Sequence, residues 1–200
     1  RLAGTASMDT WVYLFEHGDR TMLTLLGGKG AGLAEMSRVG LPVPPGFTIT
    51  AQACQAYYTH DKIFPEGMWS QSKSALKVVE QQTGKRFGDP AKPLLVSVRS
   101  GARVSMPGMM DTVLNLGLNA ETLGGLAQLT GDERFAWDAY RRFVQMFGEI
   151  VLDVPAEKLD RAMDAVKARA NVKRDADLDV PALRLIVDRF KEIIFGEVRQ

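Results

Sequence analysis

Short apolar runs and helical spacing alternate in the first part of the chain, whereas helical spacing alone governs the rest. Before about residue 119, apolar stretches bounded by turn residues predict strands. These strands are expected over Trp11–Phe15, Phe47–Thr50, Leu94–Val98 and Val113–Leu118. Beyond that point the pattern predicts helices over Glu121–Leu129, Glu133–Leu152, Ala156–Ala170 and Pro181–Phe195. The pattern therefore predicts an α+β fold, with a mixed α/β lobe over residues 11–119 and a helical subdomain over residues 120–200.

Helices are also predicted within the first lobe. One begins near Ala31 and ends at a glycine, which is a common stop signal. Another starts at Thr50 or Ala51 and runs to about His60. A longer one covers residues 68–83 and is again followed by glycine.

The segment GGKG, residues 27–30, is predicted to be a loop that opens onto the N-terminus of the first helix. Glycines let backbone N–H groups approach a phosphate, a helix N-terminus adds partial positive charge, and Lys29 adds a full charge. The spacing matches neither a Walker A motif nor the dinucleotide fingerprint. The segment is therefore a candidate anion site, and the alternative is an ordinary turn with a solvated lysine.

The predicted buried strand ending at Val98 runs into Arg99 and the loop SGARVSMPGMMDT. An arginine at the end of a core strand lies where open sheets present ligands, and its fork of donors suits a phosphate. The loop adds glycine N–H groups, hydroxyls and methionines that could cover a base or a closing lid. The alternative is that Arg99 pairs with a buried carboxylate.

Two arginines lie on the helix predicted to begin at Glu133. If its buried stripe follows Ala136, Tyr140, Phe143, Phe147 and Ile150, Arg141 points about 140° and Arg142 about 120° from the stripe centre, on opposite sides. Arg142 is then the better placed of the two to reach a crevice between the lobes. The alternative is a solvated or ion-paired side chain.

Composition limits the classes of function. Hydrophobic residues make up 46% of the chain and charged residues 24%, as in soluble globular proteins. A net charge of +1 argues against nucleic acid or an anionic membrane as a partner, and no apolar stretch is long enough to span a bilayer. Cys54 is the single cysteine, which suits the cytoplasm, and no metal or triad partner is evident for His17 or His60. The small and polar residues 1–10 are expected to be a cloning remnant or a disordered extension.

Four segments together make the chain resemble the pyruvate, phosphate dikinase family. They are LLGGKGAGLAEM, GLPVPPGFTIT, LLVSVRSGARVSMPGMMDTVLNLGLN and RFAWDAYRRFVQMF, and the resemblance runs from about Trp11 to the end. The third segment is the most specific. Phosphoenolpyruvate synthases resemble the chain at GGKG and VRS, but SMPGMMDT favours the dikinase.

The resemblance implies an ATP-grasp-like nucleotide-binding domain with a mixed sheet and helices. In this family the β-phosphoryl of ATP moves to a histidine on a separate swivelling domain, and the γ-phosphoryl passes to inorganic phosphate. AMP and pyrophosphate leave, and the phosphohistidine then converts pyruvate to phosphoenolpyruvate.

The resemblance also assigns roles to residues. Those implied to contact the nucleotide are Gly27, Gly28, Lys29, Arg99, Gly108, Met110 and Thr112. Arg99 and Arg142 are the implied catalytic residues, and Arg142 would hold the γ-phosphate or the phosphate cosubstrate.

Other parts of the enzyme are implied to lie beyond Gln200, namely the Mg²⁺ ligands, the catalytic histidine and the pyruvate site. The segment alone is therefore expected not to be catalytic and to bind MgATP weakly or not at all. The implied partners are ATP, inorganic phosphate and the phosphohistidine domain of the same parent chain, in a homodimeric cytoplasmic enzyme. A phosphoenolpyruvate synthase-like domain and a stand-alone, non-catalytic nucleotide-binding or interaction module remain the alternatives.

Overall fold

The computed structural model describes residues 9–101 and 112–199. Within these ranges the chain forms two compact units. The first unit consists of residues 9–84 together with Gly101, and the second unit consists of residues 85–100 and 112–199. Each unit is described by itself below.

The first unit combines a small sheet with three helices. Strand β1 (Val12–Leu14) pairs antiparallel with β2 (Phe47–Ile49), with Val12 opposite Ile49. The helices are α1 (Leu23–Arg38), α2 (Ala51–Thr59) and α3 (Met68–Thr83), and short 3-10 turns cover Phe15–His17 and Arg20–Met22. Gln71 of α3 accepts hydrogen bonds from the backbone N–H groups of Trp11 and Val12, so a side chain ties α3 to the start of β1.

The second unit is mainly helical. Strands β3 (Val96–Val98) and β4 (Val113–Leu116) pair antiparallel, with Val96 opposite Leu116. The helices that follow are α4 (Ala120–Thr130), α5 (Glu133–Met146), a π-helical turn (Phe147–Val151), α6 (Ala156–Arg169), a 3-10 turn (Asp175–Asp177) and α7 (Val180–Val198). Helix ends are capped by side chains: Asn119, Asp132 and Asp179 each accept a backbone N–H of the first turn.

The two units differ in the size of their cores. In the second unit, buried apolar side chains from α4 to α7 form one continuous cluster, and Leu159, Leu183, Ile186 and Phe190 are completely buried. In the first unit the corresponding cluster around α1 is formed by Leu26, Ala31 and Ala34. The second unit therefore offers the more rigid support for any side chain that it carries.

Most predicted elements are confirmed, with shifted ends. The helix predicted over residues 68–83 is found with those bounds, because Gly84 adopts the left-handed conformation that ends it. The mixture of helices and small sheets agrees with the predicted α+β class. The predicted mixed sheet is not found in the described residues, where each strand pair forms a separate antiparallel sheet.

One further expectation differs from the structure. Strand β3 is not buried throughout: Val98 is 48% exposed, because β3 pairs with a single strand among the described residues.

The predicted lobe boundary at residue 119 stays a prediction. Strand β4 packs against α5, and both belong to the same compact unit.

Candidate functional site

The predicted glycine loop is a single break within a helix. Helix α1 leaves helical geometry at Gly27, where φ is 70° and ψ is 171°, and resumes at the next residue. The prediction of a four-residue loop was therefore wrong for Gly28, Lys29 and Gly30, which form the first turn after the break. The predicted helix N-terminus is present, since a helix resumes directly after Gly27. The first backbone N–H groups of such a helix have no acceptor within it.

Packing within the first unit explains two of these glycines. The φ and ψ angles of Gly27 lie in a region that only glycine populates, and an added Cβ would lie 2.7 Å from the carbonyl oxygen of Gly101. A Cβ at Gly30 would lie 2.9 Å from Oγ1 of Thr48 on the neighbouring strand. The glycine-rich sequence thus lets the helix approach its neighbours closely.

Lys29 lies on the first turn after the break and is partly buried. None of the ion pairs between described residues includes it. Its positive charge is therefore available to an external anion within the part of the chain that the structure describes.

Arg99 directly follows β3 and is exposed. No described carboxylate lies within ion-pair distance of it, so the alternative of a buried pair finds no support in residues 9–101 and 112–199. Gly101, two residues later, is the residue whose carbonyl approaches Gly27. That Lys29 and Arg99 bind one ligand stays a prediction.

The loop candidates are only partly described. Gly108 and Met110 lie outside the described residues. Thr112 is described, is partly buried and directly precedes β4. Gly28 is partly buried beside Lys29.

The orientation predicted for Arg141 was wrong. Its side chain is 5% exposed, whereas that of Arg142 is 60% exposed. The buried residues of α5 are Ala136, Ala139, Tyr140, Arg141 and Val144. The predicted stripe failed because Phe143 and Phe147, which it included, are only partly buried.

Both arginines pair with the same carboxylate. Nη2 of Arg141 lies 2.6 Å from Oδ1 of Asp138, and Nη2 of Arg142 lies 3.0 Å from Oδ2. Sequence reasoning missed Asp138, although its spacing of three and four residues from the arginines is the signal for such pairs on a helix. The ion-paired alternative for Arg142 is thus present in the structure.

Carboxyl groups with shifted pKa values lie at exposed turns and helix surfaces. A hydrogen bond from Arg38 is the main cause that lowers the pKa of Glu35, and one from Arg174 lowers that of Asp177. Hydrogen bonds from Thr21 lower the pKa of Asp19 in the same way. These groups stabilise turns and are not among the predicted site residues.

Two features often mark a functional site, a cluster of metal-binding side chains and a cleft. No group of three His, Cys, Asp or Glu side chains gathers within residues 9–101 and 112–199. A cleft of about 190 Å³ in the first unit is lined by residues around β1 and the proline-rich turn at 43–46, and it includes none of the described candidates. His17, Cys54 and His60 are exposed, and no described helix has the length and apolarity needed to cross a membrane.

Comparison with known proteins places the chain in a family. The family model described as pyruvate phosphate dikinase, AMP/ATP-binding domain, matches residues 23–74. Pyruvate, phosphate dikinase of Clostridium symbiosum is 48% identical over 186 residues, which are 93% of this chain and 21% of that protein. The chain belongs to the pyruvate, phosphate dikinase family.

Relatives from other organisms match the chain with similar identity and coverage. Pyruvate, phosphate dikinase 1, chloroplastic, of rice is 52% identical over 176 residues, 88% of this chain and 18% of its own. The enzyme of Entamoeba histolytica is 50% identical over 179 residues, 90% of this chain and 20% of its own. The chain thus spans about a fifth of the length of these dikinases, and the matched domain model covers the break at Gly27 together with Lys29.

Proposed function

We propose that the chain is the nucleotide-binding part of a full-length dikinase that converts ATP, phosphate and pyruvate to AMP, pyrophosphate and phosphoenolpyruvate. The family match supports this proposal. The observation that carries it is that two cations of the candidate site lack a carboxylate partner among the described residues. Lys29 and Arg99 lie in the GGKG and VRS segments, and neither has a carboxylate partner among the described residues. Such cations suit the phosphates of ATP.

Each side chain has a distinct role in the proposed site. Lys29 acts as a point charge beside the N–H groups exposed by the break at Gly27, and the fork of Arg99 donates two parallel hydrogen bonds to phosphate oxygens. Gly28 lets the backbone approach, while Gly108, Met110 and Thr112 belong to the loop over the polyphosphate. Phosphoryl transfer relies on such positioning and charge stabilisation, because the protein does little covalent chemistry in it.

The remaining parts of the proposal concern the parent enzyme. They are an ATP-grasp-like fold, a phosphohistidine domain in the same chain, inorganic phosphate as cosubstrate, a homodimer and a cytoplasmic location. Mg²⁺ would neutralise phosphate charge when bound, but the described residues do not offer the group of oxygen ligands that it prefers. The ligands of the metal are therefore expected elsewhere in the parent enzyme.

The test is the ATP- and phosphate-dependent formation of pyrophosphate by the full-length enzyme. Arg99→Ala and Lys29→Ala are each expected to lower kcat/KM for ATP by a factor of about 100 or more, as for other donors to transferred charge. Melting temperatures are expected to stay within about 3 °C, because neither side chain has an ion pair to lose among the described residues.

Matched controls separate this role from a general effect of charge. Lys73→Ala removes an exposed lysine of the first unit and Arg161→Ala an exposed arginine of the second. Both are expected to keep kcat/KM within about twofold of wild type. Near-normal turnover of Arg99→Ala would contradict the proposed function.

A further inference from the structure

Asp138 lies between two arginines of very different exposure. Its carboxylate has one oxygen 2.6 Å from Arg141 and the other 3.0 Å from Arg142, while its own side chain is 14% exposed. Neither oxygen is shared between the two guanidinium groups. The carboxylate therefore links the buried Arg141 to the exposed Arg142 through one ion pair with each.

Arg141, the buried partner of Asp138, has several further contacts. Arg141 donates a second hydrogen bond to Gln145 Oε1 at 3.2 Å and contacts Met163 Sδ at 3.8 Å. Asp175 lies 3.7 Å from the same guanidinium and is itself paired with Lys167 at 2.9 Å. Residues from α5, α6 and the following 3-10 turn thus fix Arg141, and through it Asp138.

Arg142 is the cation of this network that faces solvent. Its side chain is 60% exposed, whereas the side chains of the other two cations are at most 18% exposed. The network also reaches two further carboxylates, because Gln145 donates to Glu149 and Asp160. A guanidinium has five N–H donors, and the single contact to Asp138 leaves most of them for an anion.

We propose that Asp138 is the positioning residue for Arg142, keeping its guanidinium where it can bind inorganic phosphate. The inference rests on the proposed function and takes the role of Arg142 in which it binds the phosphate cosubstrate. A free arginine on a helix surface samples many rotamers, and ordering it on binding costs affinity. Pairing with a carboxylate that is itself held in place lowers that cost in advance, because the arginine is already positioned before phosphate binds.

Two other roles for Asp138 would give different results. If Asp138 merely neutralised Arg142, it would compete with phosphate, and its removal would strengthen phosphate binding. If it only stabilised the buried Arg141, its replacement would lower stability without a specific effect on phosphate.

The experiment measures pyrophosphate formation by the full-length enzyme at varied inorganic phosphate. Asp138→Asn and Arg142→Ala are each expected to raise KM for phosphate at least tenfold while changing KM for ATP less than threefold. In the Arg142→Ala background, Asp138→Asn is expected to raise KM for phosphate by less than twofold more, because the carboxylate acts through that arginine. Glu192→Gln removes a comparable partner of Arg189 on α7 and serves as the control with unchanged kinetics.

Asp138→Glu tests position separately from charge and covers the case in which Asp138→Asn fails to fold. It keeps a negative charge beside Arg141, so the melting temperature is expected to stay near that of wild type, yet it displaces the carboxylate and raises KM for phosphate at least threefold. The role of Asp138 would be contradicted if its folded variants had a normal or lowered KM for phosphate while Arg142→Ala had a raised one. The proposed role of Arg142 would not be affected by that result. Unchanged kinetics of Arg142→Ala would instead overturn the proposed role of Arg142.

Discussion

Lys29, beside the break at Gly27, and the two arginines of α5 differ in whether a carboxylate neutralises their charge. Lys29 has no carboxylate partner among the described residues, whereas Arg141 and Arg142 share Asp138. Helix α1 packs a few small side chains, while α5 belongs to the large core of the second unit. If both regions bind phosphate as proposed, an unpaired lysine and a pre-paired arginine are two ways to prepare that contact, one by an available charge and the other by a side chain that is already positioned.

The largest effect is expected from replacing each of the two adjacent arginines of α5. Arg141→Ala leaves the largely buried Asp138 without its inner partner and is expected to lower the free energy of unfolding by about 3–5 kcal/mol. Arg142→Ala is expected to cost at most about 1 kcal/mol, because its ion pair is at the surface. Urea denaturation of both variants measures the difference, and equal losses would show that the network is not anchored through Arg141.

The next largest effect is expected at the break in α1. Gly27→Ala forces a Cβ into a conformation and a space reserved for glycine, at a cost of about 1–3 kcal/mol. Gly32→Ala is the matched control, since a Cβ there meets nothing within 4 Å and alanine favours the helix by up to about 1 kcal/mol. Thermal denaturation of the two variants is expected to shift in opposite directions. Equal shifts would contradict the description of Gly27 as the point of strain.

A smaller effect is expected at the start of α5. Asp132 accepts the backbone N–H of Phe135, so Asp132→Ala is expected to destabilise the second unit by about 1 kcal/mol. Asp132→Asn keeps a capping oxygen and is expected to stay within about 0.5 kcal/mol of wild type. Denaturant midpoints measure both variants, and a loss for Asn as large as that for Ala would assign the effect to charge rather than to capping.

The smallest effects are expected from acidic pH at exposed carboxylates in both regions. Hydrogen bonds from arginines lower the folded-state pKa of Glu35 and of Asp177. The stabilisation by such a group is present above its unfolded pKa and is lost as pH falls through the folded pKa. Carboxyl carbon NMR during an acid titration measures both groups, and a folded-state pKa at or above the ordinary value for either would contradict the hydrogen bonds described.

Local signals in the sequence predicted the elements well where a cap residue marks the end. Gly84 ends α3, and Asp179 with Pro181 begins α7, because these residues act through their own backbone geometry. The close packing at Gly30 was not predictable in this way, because its neighbour is Thr48, which is distant in sequence.

Burial of charge was the least predictable feature of the candidate site. Arg141 was expected to face away from the core because it lies about 140° around the helix from the centre of the predicted apolar stripe. Its burial depends on Asp138 nearby and also on Asp175, which lies 34 residues further along the chain. Periodicity along a single helix contains no information about such a distant partner. Short motifs mark Lys29 and Arg99 in the sequence, and their role in binding ATP stays a prediction.

The central claim is that Lys29 and Arg99 bind the phosphates of one ATP molecule. A crystal structure of the full-length enzyme with bound ATP tests it most directly. We expect Nζ of Lys29 and the guanidinium of Arg99 each to lie within about 3.2 Å of phosphate oxygens of the same nucleotide. A bound ATP whose phosphates contact neither side chain, or only one of them, would contradict it.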